Sequence, residues 1–190
     1  MNLLAVGCNF EKTPVEVRER LAFDEQTVPR ALDDLTSRYG CEAVILSTCN
    51  RVEIYVGRPQ AHLGNAKNQE PSTKNQEPNA KNQEPKSTGD LEFDSWNLGF
   101  PSLVAEFLAE FHHFPIAQLQ PLLYCHENAL AVRHLFRVAA SLDSLIVGEG
   151  QISGQVRRAY ETAQRCSSVG PLFHALFQHA SSVAGRVRIY

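Results

Sequence analysis

Cys49 and Arg51 lie two residues apart in Ser47-Thr48-Cys49-Asn50-Arg51-Val52-Glu53-Ile54-Tyr55. Before them runs the apolar Val44-Ile45-Leu46; after them Val52, Ile54 and Val56 alternate with Glu53 and Tyr55. Two strand-like runs this close imply a tight turn, with the cysteine where a buried sheet meets solvent. A free thiol, with a pKa of about 8.5, is only a few per cent thiolate at neutral pH. A guanidinium held within reach lowers that value by roughly 1–3 units. The chemistry open to such a pair is nucleophilic attack on an acyl group. The competing reading is a packed cysteine, the usual fate of a free one. Cys8, Cys41, Cys125 and Cys166 lack such neighbours and read as packing residues.

A second loaded stretch begins at His134. At 100° per residue it sits about 150° from the centre of its helix's apolar face, and Arg137 and Ser141 share its side. That face is either solvated, or it lines a cleft opposite Cys49, where His134 gives or takes a proton near neutral pH. Then comes Leu142-Asp143-Ser144-Leu145-Ile146-Val147-Gly148-Glu149-Gly150-Gln151, with Gln155 four residues on. Gly148 and Gly150 bracket Glu149 and permit an unusual turn before a helix, on which Gln151 and Gln155 are neighbours. A serine, a carboxylate and two amides can recognise an α-amino group and a polar side chain; helix capping explains Glu149 equally well. The stretch is no phosphate loop, and no G-x-G-x-x-G follows a strand anywhere in the sequence. His126 beside Cys125 has no convincing partner ligands, so no metal site is expected.

The elements that must position these groups read as α+β. A strand over 3–8 is followed by a helix with Asp24 as its cap, Val28, Ala31, Leu32, Leu35 and Tyr39 at helical spacing, and Gly40 at its end. The two strands around Cys49 come next, then a helix over 102–113 and a strand over 120–125. That order predicts a ferredoxin-like βαββαβ sheet with helices on one face. Beyond Asn128 the pattern is wholly helical. Val132, Leu135, Phe136 and Ala139 share one face. A helix over 151–166 buries Ile152, Val156, Ala159, Ala163 and Cys166. A last one from Pro171 carries Leu172, Leu176, His179 and Val183. It is still in register at Tyr190, with no stop signal, and reads as a long connecting helix cut short. The expected division is a catalytic domain over 1–150 and a helical segment over 151–190.

Lys-Asn-Gln-Glu-Pro occurs three times at a period of seven between Lys67 and Pro85. With no apolar seam and a proline in each repeat it cannot form a coiled coil. Residues 64–90 are expected to be a disordered insert.

The totals set limits. A chain of 190 residues with net charge −3 argues against bulk nucleic-acid binding by a basic surface, and leaves open a local patch around Arg157, Arg158, Arg165, Arg186 and Arg188. Five scattered cysteines argue against a disulfide framework. No run approaches the ~20 apolar residues that span a bilayer, and the N-terminus is no signal peptide, so a cytoplasmic protein without a membrane partner is expected.

Taken together, the motifs resemble glutamyl-tRNA reductase. The resemblance rests on Gly7-Cys8-Asn9, Pro14-Val15 and Arg18-Glu19-Arg20, then Leu46-Ser47-Thr48-Cys49-Asn50-Arg51. It continues through His134-Leu135-Phe136-Arg137-Val138-Ala139, Leu142-Asp143-Ser144, Gly148-Glu149-Gly150-Gln151-Ile152 and Gln155-Val156, and ends at Val183-Ala184-Gly185-Arg186-Val187-Arg188. It implies that Cys49 attacks the ester joining glutamate to tRNA and forms a thioester. NADPH then reduces it to glutamate-1-semialdehyde for tetrapyrrole (porphyrin) biosynthesis. His134 matches a histidine important for activity. Thr48, Asn50, Arg51, Ser144, Glu149, Gly150, Gln151 and Gln155 match substrate-contacting positions, with Arg51 suited to clamp a carboxylate bidentately. The family usually has histidine where Phe10 stands, proline where Gly150 stands and glycine where Ser141 stands. It also continues into NADPH-binding and dimerisation domains not seen in this sequence. Glutamyl-tRNA, a homodimer partner and a glutamate-1-semialdehyde aminotransferase are the partners implied. The alternatives are a stand-alone acyl-transfer or esterase domain and a non-catalytic tRNA-binding remnant.

Overall fold

β1 (Asn2–Asn9) pairs antiparallel with β3 (Arg51–Arg58) on one side and β4 (Tyr124–Glu127) on the other, and β3 carries β2 (Glu42–Ser47) on its far side. The order β2-β3-β1-β4 is that of the expected ferredoxin-like sheet. This computed structural model describes residues 2–58, 88–145 and 150–187, with the helical backbone alone over 88–98.

The register sorts the side chains. Val6 stands opposite Ile54 and Cys8 opposite Val52, so these four share one face; Ala5, Gly7, Glu53 and Tyr55 share the other. The helices α1 (Val15–Arg20) and α2 (Thr27–Tyr39) follow β1, and α3 (Thr88–Phe111) follows β3. Asp24 opens α2 by accepting the backbone N–H groups of Gln26 at 3.0 Å and Thr27 at 2.8 Å. Gly40 closes it in the left-handed region, at φ 56°, which a side chain would resist. Phe111 of α3 packs against Phe23, their rings 5.2 Å apart and tilted by 40°, and Phe23 N–H donates to Ser47 Oγ. Ser47 stands opposite Val52, so α3 covers the Val6–Ile54 face.

The expected helix over 102–113 begins earlier, at Thr88, and runs through Pro101. Proline in a helix interior costs about 3 kcal/mol. Burial of Phe100 and Val104 on either side of it offsets that cost here. Residues 64–87 of the expected disordered insert lie outside the described residues, while 88–90 form the first turn of α3. The short α4 (Ile116–Leu119) and a 3-10 turn (Gln120–Leu122) lead into β4, which starts four residues later than expected.

The second face of the sheet is also covered, contrary to the expectation of helices on one face. α5 (Ala129–Ala139) and α7 (Pro171–Val187) lie over it, with α6 (Gln151–Arg165) against β2. Tyr55 meets Phe177 edge-on at 5.8 Å. Glu53 and Tyr55, on the side of β3 opposite Val52, Ile54 and Val56, are therefore wholly buried. The buried faces of α5 and α6 overlap the expected ones: α5 buries Leu135 and Ala139 as expected, with Ala131, His134 and Val138, and α6 buries Ile152, Val156 and Ala163 as expected, with Tyr160 in place of Ala159. α7 is turned from its expected face and buries Phe173, Phe177, Ala180 and Ala184. Apolar residues lie on more than one side of each helix, so periodicity alone could not say which side meets the sheet. One hydrophobic core includes both the strands and α6–α7, running across residue 150.

The loop from α6 to α7 lies along β2. Ser168 accepts the N–H of Ala43 at 2.7 Å through its carbonyl and donates its hydroxyl to the Ala43 carbonyl at 2.9 Å. The Glu42 carboxylate accepts the N–H groups of Leu172 at 3.2 Å and Phe173 at 2.7 Å, capping the first turn of α7 from a neighbouring strand.

Candidate active site around Cys49

The β2–β3 turn is tied by its own threonine. Thr48 Oγ1 accepts the N–H groups of Asn50 at 3.2 Å and Arg51 at 3.1 Å, and Thr48 N–H donates to the Arg51 carbonyl at 2.8 Å. Two neighbours brace it from outside: Phe10 N–H donates to the Asn50 carbonyl at 2.9 Å, and Arg18 Nε to the Cys49 carbonyl at 3.2 Å. Cys49 is thereby held exposed at the tip. Across a cavity, Thr48, Cys49, Asn50 and Arg51 face Ser144, Gln151 and Gln155. Gly150 precedes the first turn of α6 at φ −66°, an ordinary right-handed conformation, while Gly148, with the rest of the expected turn, lies outside the described residues. Glu149 lies outside the described residues.

Arg51 does not reach outward. It is 1% exposed, and its guanidinium donates to Glu53 Oε1 at 2.7 Å and to the backbone carbonyl of Asp143, with the Asp143 carboxylate 3.4 Å away. A substrate carboxylate meets this guanidinium only by displacing Asp143. Burial opposes the guanidinium charge, and Glu53 more than restores it, raising the Arg51 pKa.

Glu53 is the hub of this region. Its carboxylate accepts Tyr55 Oη at 2.6 Å and the Tyr124 hydroxyl, and His134 Nε2 lies 2.8 Å from Oε1. Burial pushes the carboxyl up, but the His134 hydrogen bond and the Arg51 charge outweigh it and hold the pKa at about 2. Burial and the Glu53 charge push both phenols up. Gly7 makes room for the hub: a Cβ there would lie 2.3 Å from the Val52 carbonyl oxygen and 2.9 Å from Glu53 Cα.

His134 is thus buried, not on a solvated face, and its Nε2 is turned to Glu53. It lines a second cleft, on the side of Tyr124, His126 and Arg137, apart from the residues that line the Cys49 cavity. Asp143 joins the two: it contacts Arg51, and its Oδ2 lies 3.9 Å from His134 Nδ1. Glu53, Tyr124 and Asp143 are members of the Arg51 and His134 network that sequence reasoning misses. The one signal that could have found Glu53 is its place between Arg51 and Tyr55 on the same side of a strand. Ser141 has φ 62°, with its N–H on the Val138 carbonyl and Leu142 N–H on that of Arg137. This is a left-handed helix terminus, which accounts for the glycine usual in the resembling family.

Among the described residues no group of three His, Cys, Asp or Glu side chains could hold a metal ion, and no helix is long and apolar enough to cross a membrane.

Comparison with known proteins shows the family. The family model described as "Glutamyl-tRNAGlu reductase, N-terminal domain" matches residues 6–189. A glutamyl-tRNA reductase of Aromatoleum aromaticum is 36% identical over 99% of this chain, and one of Chloroflexus aurantiacus is 40% identical over 99%. The chain spans 36% of the length of each. The solved glutamyl-tRNA reductase from Methanopyrus kandleri superposes with a TM-score of 0.64 at 25% identity, covering 98% of this chain and 34% of that one. An exposed thiol on a braced strand turn, faced by a serine and two amides, is thus found in a chain that belongs to the glutamyl-tRNA reductase N-terminal domain family.

Proposed function

We propose that this chain is the acyl-accepting unit of a glutamyl-tRNA reductase, with Cys49 as its nucleophile. The observation that carries the reading is the exposure of Cys49 on a turn fixed from both sides, in a cavity shared with Ser144, Gln151 and Gln155. The sulfur attacks the carbonyl carbon of the glutamyl ester. A C–S bond forms, the bond from that carbon to the tRNA ribose oxygen breaks, and the thiol proton ends on the departing hydroxyl. Thioester and free tRNA result.

Thr48 sets the turn, and Asn50 N–H and Arg51 N–H are spent on Thr48 Oγ1, so polar groups for the substrate come from Ser144, Gln151, Gln155 and, by the resemblance, Glu149. Arg51 takes a substrate carboxylate in exchange for Asp143. His134 is a positioning residue: it holds Glu53, which holds Arg51, whose backbone closes the turn.

The NADPH that the resemblance implies finds no seat among the described residues. All three strand pairings are antiparallel, and no described strand passes through a glycine-bearing turn into a helix. The step assigned to this unit is acyl transfer.

The test is deacylation of glutamyl-tRNA by the 190-residue chain. Slow release of tRNA that is abolished in Cys49→Ser supports the proposal, since an alcohol without a strong base is a far weaker nucleophile. Equal rates in the two proteins would remove Cys49 from the chemistry.

A further inference from the structure

The cleft beside His134 has a volume of about 360 Å3 and a lining unlike that of the Cys49 cavity. Tyr124 and His126 form one wall, their rings 5.2 Å apart, and His126 lies 4.6 Å from the His134 ring. Leu130, 60% exposed, adds apolar surface at the mouth. Three cations, Lys12, Arg133 and Arg137, line the cleft, against the acids Glu11 and Asp143. Asp143 is already engaged by Arg51 and stands 3.6 Å from Arg137. Burial and the neighbouring His134 push the His126 pKa down, so its ring presents a neutral imidazole.

Partly exposed flat rings beside a cationic rim suit one ligand chemistry: a base that stacks, carrying phosphates that the cations neutralise. The cleft also lies in the right place for it. Asp143 lines the cleft and binds Arg51, which lines the Cys49 cavity together with Ser144. One ion pair thus separates the two. An aminoacyl ester at the 3′ end of an RNA brings the terminal nucleotides next to whatever group attacks the ester.

We infer that this cleft binds the single-stranded 3′-terminal nucleotides of the RNA, stacking a base on His126 and Tyr124 and setting phosphates against Lys12 and Arg133. The inference rests on the acyl-transfer reading and adds to it the seat of the RNA end.

The experiment measures fluorescence anisotropy of a labelled single-stranded RNA ending in CCA-3′-OH against the full chain. Binding is expected to weaken in the Lys12→Glu, Arg133→Glu double variant, with the slope of log K against log salt falling by about 0.7 for each phosphate no longer neutralised. His126→Ala is expected to weaken binding by about 5- to 150-fold. Both variants should melt as the parent does and alkylate at Cys49 at the parent's rate. Unchanged RNA binding in both would overturn the inference. So would binding no tighter than that of adenosine monophosphate or inorganic phosphate, which would assign the cleft to a free nucleotide or anion. Failure of the deacylation test with normal RNA binding would instead strike the acyl-transfer reading alone.

Discussion

His134 Nε2 lies 2.8 Å from Glu53 Oε1, a contact that joins α5 to the centre of β3 through a fully buried carboxylate. If His134 acts through Glu53, their substitutions must be coupled. His134→Ala and Glu53→Gln are each expected to slow deacylation of glutamyl-tRNA, and the double variant should be no slower than the worse single one. A direct proton-transfer role would instead show His134→Ala alone losing roughly 10²–10⁴-fold, with a changed pH profile.

The same carboxylate predicts an acid limb in the stability curve. The Glu53 pKa falls from its ordinary value of 4.5 to about 2 on folding. Its contribution is therefore present in full above pH 4.5 and is lost as pH falls through about 2, because the unfolded chain takes up the proton first. The urea midpoint should climb with pH across that window, and Glu53→Gln should flatten the climb.

Arg51→Leu should be severe. It leaves Glu53 buried without its guanidinium, and breaking a buried pair on one side costs about 3–5 kcal/mol. Denaturant titration at neutral pH reads this directly. A change below about 1 kcal/mol, the scale of an exposed pair, would mean that the tyrosines and His134 satisfy Glu53 unaided.

Ser167 offers a gain. It sits exposed after α6 at φ 56°, with Ser167 N–H on the Gln164 carbonyl and Ser168 N–H on that of Ala163. The left-handed conformation costs a non-glycine residue about 1–2 kcal/mol, so Ser167→Gly should raise stability by about 1 kcal/mol. An unchanged melting temperature would contradict this.

The thiols should separate by reactivity. Burial pushes Cys8 up, Cys41 to about 12 and Cys125 to about 11. Mild iodoacetamide should therefore label the exposed Cys49 before Cys8, Cys41, Cys125 and Cys166, as peptide mass mapping would show. Early labelling elsewhere would return Cys49 to an ordinary surface thiol.

The strand order and the turn at Cys49 are legible in the sequence because β-branched runs, Asp24 and Gly40 are local signals. Thr48, Asn50, Ser144, Gln151 and Gln155 are legible as a set through resemblance, and the fold brings them to one cavity with Cys49. What escapes is long-range. Nothing near Glu53 in sequence says that helices some 80 to 125 residues later will cover its side of β3, so an alternating strand reads as half-exposed. His134 escapes for the same reason: its burial is set by a carboxylate on a distant strand. Pro101 hides the first half of α3 because its cost is offset only in the packed core.

The edges of the sheet are unequal. β4 is four residues long and carries the exposed Cys125 and Glu127, a poor template for another strand. β2 is longer and apolar, yet at Ala43 both backbone groups are occupied by Ser168, and Glu42 is fastened to α7. The C-terminal helices thus act as a guard on self-association. Detaching them would uncover Ala43-Val44-Ile45-Leu46 as an open strand, ready to recruit its own kind into aggregates before any loss of chemistry was noticed.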